Sequence, residues 1–441
     1  MGNLTSRAGN VVIGAGLSGL AAARALTELG RSSEVFEACA EPGGLTRTTV
    51  VGPFSFDYTG HLLHLARHDT PADLPYAGQD NADWQRIDRR SYCYLGGTLV
   101  PAPVQYNMGL LPGGMRSECI RSYDARENEV AGSSHNLRDF IVQSFGRYLA
   151  EVFLIPQNEK TLAIPVDRLS RGALRRFFPP PDETRVRRGM EPDGSPVDGG
   201  YNSCFWYPRV GGISRLVRGL ACGIDRMHLS TGVVSLKLPE RRLKTTEGNE
   251  VGWHVLLSSM PLVALAGMSG DRDLVALSSA LTNSATLCIN LGIQGALGEA
   301  VRNAHWVYVP DANIPFYRFG VYSNLGGRVA PPGHASVYVE VGLAPGAARD
   351  TASLVAIEAR ACDALFRLGW VRPESVVCRV TQLLDCAYVH LTPERDGIVA
   401  EIRERLARAG VYPIGRYGCW DYTSMEESIL SGIETARRVA A

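Results

Sequence analysis

Three β-branched residues, Val11 to Ile13, open the patterned part of the chain as a short buried strand. The Ala/Leu-rich run GAGLSGLAAARALTELG follows and predicts a helix that ends before Gly30. SEVFEA reads as the next strand, so the chain begins strand, glycine turn, helix, strand, as a βαβ unit requires. From about Arg116 to Arg176 the pattern is helical: NLRDFIVQSFGRYLAEVFLIP spaces its apolar residues as a helix does, with a stop at Pro156. Phe177 to Asn202 is rich in Pro, Gly and charge and predicts a long loop or mobile connection. MHLSTGVVSLKLPERRLKTTEGNEVGWHVLLSSM predicts a meander of strands with a polar hairpin near Gly248. Ile289 to Val341 is strand-rich, Thr351 to Leu368 is an amphipathic helix, and GIVAEIRERLARAG is another, ended by Gly410. No internal repeat or low-complexity tract interrupts this order.

One position breaks the pattern. HWVYVPDANIPFYRFGVYSN, from His305 to Asn324, reads as two buried strands around a turn, yet Arg318 sits between Tyr317 and Phe319. A guanidinium in that setting needs an anion or hydrogen-bond acceptors. Either it is a structural arginine paired with a nearby carboxylate or reaching water, or it meets an anionic ligand.

Composition changes the picture little. A chain of 441 residues exceeds the size at which one core keeps growing and predicts two domains. It is 45% apolar and 20% charged with zero formal net charge, which argues against a nucleic-acid binder. Its 45 basic residues include only three lysines, Lys160, Lys237 and Lys244, and that bias suits a GC-rich bacterial genome. Ten scattered cysteines, with no C-x-x-C and no zinc-finger spacing, fit buried thiols in a reducing cytosol. No apolar run approaches a membrane span and the N-terminus lacks a signal-peptide core, so a cytoplasmic protein is expected. MGNLTS matches a myristoylation pattern only superficially, and a bacterial origin removes its meaning.

The chemistry begins at the glycine turn. Gly14, Gly16 and Gly19 form G-x-G-x-x-G between strand and helix: the first permits the tight turn, the second admits a pyrophosphate, the third allows close helix–strand packing. Glu37 ends the second strand where a carboxylate binds a ribose hydroxyl. Together they predict an ADP-containing cofactor. His61, His64 and His68 in HLLHLARH could share a helix face, but no partner at matching spacing completes a metal site, and none is expected.

Several motifs carry a resemblance. CAEPGGLTRT places Gly43, Gly44, Leu45 and Arg47 just beyond the acid, as flavoproteins of the amine-oxidase and protoporphyrinogen-oxidase type do. GVYPIGRYGCWDYTSMEESILSG, with Gly415 and Arg416 before a helix starting near Ser424, is similar to their C-terminal FAD-closing segment. DYTGHLLHL, VPAPVQYNMGLLP, FLIPQNEKTLAIP, GYNSCFWYPRVGGI and the Arg318 segment resemble, in order and over nearly the whole chain, the UDP-galactopyranose mutases. This resemblance implies an α/β protein: a Rossmann-type FAD-binding domain built from residues 1–100, 206–262 and 396–441, with an inserted mixed helical and antiparallel-sheet substrate domain from 101–205 and 263–395. It implies FAD held by Gly14, Gly16, Leu17, Ser18, Gly19, Glu37, Gly43, Gly44, Leu45 and Arg47, with Val234, Gly415, Arg416, Trp420 and Met425 completing the set. Gly60 and His61 would lie against the flavin near N5. Arg318 would grip a nucleotide diphosphate, with Arg175 or Arg176 as the second arginine and Tyr308, Tyr422, Asn158, Asn202 and Gln105 around the substrate.

The family's aromatic positions are altered: Leu162 stands for a tryptophan, Gln157 for a tyrosine, and Ala102 and Val104 for two further aromatics. Each change removes a stacking surface, and a base–aromatic stack contributes about 1–3 kcal/mol, so the substrate is expected to differ from standard UDP-galactose. Two enzymatic readings share these motifs. One is a redox-neutral isomerisation of a nucleotide-linked sugar in which, as the resemblance implies, reduced flavin N5 is the nucleophile and NAD(P)H a candidate reductant. The other is an oxidase or dehydrogenase of the amine-oxidase type. A small-molecule substrate is expected in both, with no nucleic-acid or membrane partner; a homo-oligomer remains open, as does a flavin-bearing scaffold without activity.

Overall fold

A computed structural model describes residues 9–78, 80–129, 136–173, 182–192, 194–199 and 203–440. The first sheet is centred on Gly9–Ile13, which pairs in parallel with Ser33–Phe36 on one side and Glu250–Ser258 on the other. Met227–His228 and Val411–Pro413 extend it in parallel, and Val233–Lys237 with Arg242–Thr245 forms the expected antiparallel meander. Side chains alternate across this sheet. Val12, Val35 and Leu257 pack beneath the helices Leu17–Glu28, Ser214–Ala221 and Met425–Ala440. Val11, Ile13 and Leu256 face Leu262–Met268, Arg272–Ser278 and Arg395–Arg408 on the opposite side. Strands buried on both faces read as continuous apolar runs, which is why VVI and VLL carry no polar alternation.

The second sheet has seven strands. Its long members are Asn283–Gln294, His334–Leu343 and Val376–Val389, followed by Arg318–Val321, Trp306–Tyr308, Ser91–Leu95 and Thr98–Pro101. The last two lie within residues 91–101. Leu287, Ile289, Val337 and Val339 bury one face against Thr351–Arg367, while Cys288, Tyr338 and Leu384 face the other way. Trp306–Tyr308 and Arg318–Val321 are antiparallel, as the pattern predicted, with Tyr308 opposite Arg318.

A helical lobe with its own core joins Gly113–Glu129, Leu137–Phe145 and Ile155–Leu162. Pro156 does not stop this lobe's last helix. Ala150–Leu154 is a π turn that runs straight into Ile155–Leu162, and this local widening of the helix precedes Pro156 and lets the chain continue through it. The segment expected as one long loop is partly built: Asp182 caps Glu183–Arg188, and Asn107 clamps Val197 through both backbone groups. No helix among the described residues is long and apolar enough to cross a membrane.

The chain's two ends meet. Gly432, in the last helix, packs against Ser18 and Ala22 of the first, where a Cβ would run into the Ser18 carbonyl. Gly432→Ala should therefore destabilise the protein by about 1–3 kcal/mol, the range for overpacking a tight contact. An unchanged denaturant midpoint would show that this crossing is loose.

Candidate active site

The three glycines of the first turn differ in what constrains them. Gly14 has φ +91°, and a Cβ there would hit the Ser259 side chain. Gly19 packs onto the Gly14 carbonyl, which leaves no room for a side chain. Gly16 meets nothing within 4 Å: its missing Cβ points into open space. Gly44 packs close beside it: its own Cβ would stand 3.4 Å from the Gly16 Cα. The Gly43 N–H donates to the Ala15 carbonyl at 2.7 Å and so fastens the second glycine pair over the first turn. Glu37 accepts from the N–H of Ala15 (2.7 Å) and of Cys39 (2.9 Å). Arg47 donates to the Gly44 carbonyl and lies over the Tyr58 ring at 4.9 Å.

These residues form one end of a cleft of about 790 Å³ that continues to the second sheet and the helical lobe. Leu17, Ser18, Leu45 and Met425 line its first half. Gly19 and Gly415 stand behind the wall: Gly415, at φ +70°, packs on the Ser18 side chain and donates to Ser431 Oγ at 2.9 Å. Two expectations fail here. Val234 points away from the cleft and is 47% exposed, and Val233 lines it instead, because the strand alternates. Trp420 lies in the core of the first sheet, and what it offers is a carbonyl to Arg395.

The middle of the cleft holds Gly60 and His61. Their loop hangs from Asp57, a buried carboxylate that accepts from Thr48 Oγ1 (2.6 Å), Tyr207 OH (2.7 Å) and the Ile213 N–H (3.1 Å). Burial outweighs these bonds and raises the Asp57 pKa to about 6. Gly60 has no room for a side chain because the Tyr338 hydroxyl occupies that place. His61 Nδ1 is 3.3 Å from Thr59 Oγ1. Burial first, then the charges of Arg416 and Arg318, lower its pKa to about 4. The neighbouring histidines go elsewhere: His64 Nδ1 lies 3.3 Å from the Cys204 carbonyl, and His68 meets Glu426 at 2.8 Å. Glu426 also accepts from the N–H groups of Ala66, Arg67 and His68, so the segment is a loop tied to the last helix.

Arg318 has a partner. Its Nε and Nη2 donate to the two carboxylate oxygens of Glu340, both at 2.7 Å, and the two residues sit directly opposite in paired strands. Glu340 is fully buried and its Oε1 also accepts, at 3.4 Å, from the Gly60 N–H. The structural reading of Arg318 therefore describes its own side chain, while the guanidinium still faces the cleft beside Tyr308, Tyr317 and Tyr338. Arg416 differs. It donates to the carbonyls of Thr423 and Ala387, both at 3.1 Å, and stacks over Tyr422 at 4.0 Å, with no carboxylate paired to it among the described residues.

Gln105, Asn158 and Leu162 line the far end with Ala102, Phe153 and Leu154. Val104 does not; it is buried in the helical lobe. Asn158 donates to the Leu154 carbonyl at 2.6 Å, the contact nearest the π turn. Arg175, Arg176 and Asn202 lie outside the described residues. Reasoning from sequence missed Glu340, Tyr338, Tyr317 and Tyr388. Glu340 had a signal: it is the lone charge in the apolar strand HASVYVEVGL, as Arg318 is in its own.

The NAD(P)-binding Rossmann-like domain family model matches residues 12–72. Solved structures match the whole chain. A protoporphyrinogen-oxidase-type protein from Exiguobacterium sp. 255-15 covers 99% of both chains at 17% identity with a TM-score of 0.75. Cyclohexylamine oxidase from Brevibacterium oxydans does the same at 15% and 0.66. These two likenesses concern the fold alone, an α/β fold built on a Rossmann-like unit. Reduced UDP-galactopyranose mutase is more alike: 25% identity and a TM-score of 0.90 over 98% of this chain and 94% of its own. The chain thus resembles UDP-galactopyranose mutase from end to end.

In the ligand-free protein His61 should titrate near 4 by imidazole NMR. Because its folded pKa is depressed, the associated stability is present above about 6.5, its usual value, and is lost as the pH falls toward 4. A titration midpoint near 6.5 would show an open, solvated loop.

Proposed function

We propose that the protein is an FAD-dependent enzyme acting on a nucleotide-diphosphate-linked sugar without net oxidation, with a substrate other than standard UDP-galactose. The observation that carries this reading is the whole-chain likeness to reduced UDP-galactopyranose mutase, with Gly60–His61, Arg318 and Arg416 all facing one cleft. The residues present fit a flavin dinucleotide. The open space beside Gly16 has no side chain in it, suits a pyrophosphate and sits at a helix N-terminus. Glu37, with its two oxygens oriented by backbone N–H groups, would take the ribose hydroxyls. FAD would supply a nucleophilic N5 when reduced.

The chain's own residues would then bind and orient. The Tyr338 hydroxyl fills the place of a Gly60 side chain, so Gly60 would present only backbone to a flat ring in the cleft. His61 is neutral at pH 7 and adds no charge there. The diphosphate would lie between Arg416 and the Arg318–Glu340 pair, with Tyr308 and Tyr422 as hydroxyl donors. Glu340 takes two of the Arg318 donors, so the uncompensated charge that attracts an anion is chiefly that of Arg416. Gln105 and Asn158 would face the rest of the substrate, and Arg175, Arg176 and Asn202 remain candidates for the same role. A second reading, net oxidation of an amine-like substrate, is favoured by the apolar far wall of Ala102, Phe153, Leu154 and Leu162.

Two experiments test this. Gly16→Val should fold yet lose bound FAD, read as flavin absorbance per protein; full flavin content would show that the turn is not the cradle. For substrate, UDP should protect the dithionite-reduced protein against melting, by about 2.7 kcal/mol at a hundred times its Kd. Arg318→Ala is the wrong probe, since it strands buried Glu340 at a cost of about 3–5 kcal/mol regardless of ligand. Arg318→Lys keeps the charge but loses the forked contact, and should weaken protection while flavin is retained. If UDP, GDP and dTDP all fail to shift melting in either flavin state, the mutase-like reading falls and amine-driven bleaching of the flavin becomes the measurement to make.

A further inference from the structure

Lys160 projects from the helix Ile155–Leu162, away from the cleft, and its ammonium is ringed by four backbone carbonyls. They belong to Val309 (2.6 Å), Asp311 (2.9 Å), Ile314 (2.8 Å) and Phe316 (2.7 Å). All four lie in the loop that joins Trp306–Tyr308 to Arg318–Val321. Three N–H donors serve four acceptors, so at least one is shared. The contact is specific to an ammonium. A compact charge with rotatable donors fits a ring of carbonyl dipoles, whereas a planar guanidinium presents its donors as a fork. In a chain that uses arginine for nearly all its cations, this position holds one of the three lysines.

The ring joins two walls of one cleft. On the helix side, Asn158, Thr161 and Leu162 line it; on the strand side, Tyr308, Tyr317 and Arg318 do. Gln157 makes a second tie between them, donating to the Tyr317 carbonyl at 3.0 Å. Gly342 closes the corner, because a Cβ there would run into the Lys160 carbonyl. Burial pulls the ammonium's pKa down to about 7, opposed by Asp311, and the carbonyl dipoles favour its charged form.

We propose that Lys160 is a positioning residue: by drawing the 309–316 loop around its ammonium it fixes the separation of Tyr308 and Arg318 from the helical wall, and so sets the cleft's affinity for a nucleotide diphosphate. The affinity half of this inference rests on the function proposed above, and the loop half does not. Lys160→Ala removes the ammonium and leaves a space lined by carbonyl oxygens, which a methylammonium ion can enter.

The test uses the flavin-bearing protein, with hydrogen exchange of the peptide 306–321 and UDP affinity of the reduced form as readouts. Lys160→Ala should keep its flavin, exchange that peptide at least about tenfold faster, and bind UDP about tenfold more weakly. Methylammonium chloride should reverse both changes, where sodium chloride at equal ionic strength should not. Should the alanine variant fail to fold, Lys160→Gln keeps two N–H donors and is expected to move both readouts in the same direction by less. Wild-type exchange in a folded variant, or losses that methylammonium leaves untouched, overturn the proposal. Faster exchange with unchanged UDP affinity overturns the cleft role. If wild-type protein does not bind UDP at all, the functional reading fails, and the exchange data alone still decide whether Lys160 holds the loop.

Discussion

A buried carboxylate faces a half-buried guanidinium across two paired strands, and much of the site is arranged around that contact. Glu340 and Arg318 are brought opposite each other by strand register, so a one-residue slip would bury two unpaired charges on opposite faces. Glu340 also reaches the Gly60 backbone, and the Arg318 guanidinium lies 5.8 Å from the Tyr338 ring that fills the place of a Gly60 side chain. The loop bearing His61 and the sheet bearing Tyr308 are thus held through one ion pair. The pair is neutral as a unit, which gives the cleft less positive charge than a count of its arginines suggests.

Much of the scaffold was legible from residue pattern because each element obeys a local rule. The opening βαβ unit is fixed by apolar runs and three glycines, of which Gly14 and Gly19 leave no room for a Cβ while Gly16 opens onto free space. The helices at 351–367 and 395–408 follow from their apolar spacing. What the pattern could not carry were contacts between distant segments. Pro156 reads as a stop from its neighbours alone, and only the π turn before it shows how the helix continues. Phe177 to Asn202 reads as loop from composition, yet Asn107, far away in sequence, orders part of it. Val234 and Val233 are equivalent in a β-branched run until the sheet's faces are known.

The candidate site was legible in the same uneven way. Residues in glycine-rich turns were found, since close backbone approach leaves a compositional mark. Arg318 stood out as a misfit, but its meaning depended on Glu340, twenty-two positions on, in a strand that shows the opposite misfit. Two lone charges of opposite sign in apolar strands of one sheet are a signal that can be sought in pairs. The tyrosines were harder: Tyr317, Tyr338 and Tyr388 sit in aromatic-rich strands where core and cleft faces look alike. The far wall, with Leu162 and Ala102 where aromatic rings would stack a base, is the part of the cleft in which the two enzymatic readings differ.

The packing of the last helix onto the first has a consequence for how the protein is made. Ser18 touches both Gly415 and Gly432, and Glu426 is what caps the loop after His61. In a chain still emerging from the ribosome, the glycine turn at Gly14 is made long before the surface around Gly415 and Gly432 that packs on it. Throughout that interval the Ala-rich face of the first helix is uncovered on the side that the final helix will occupy. A chain lacking that helix would expose an apolar stripe beside the glycine turn.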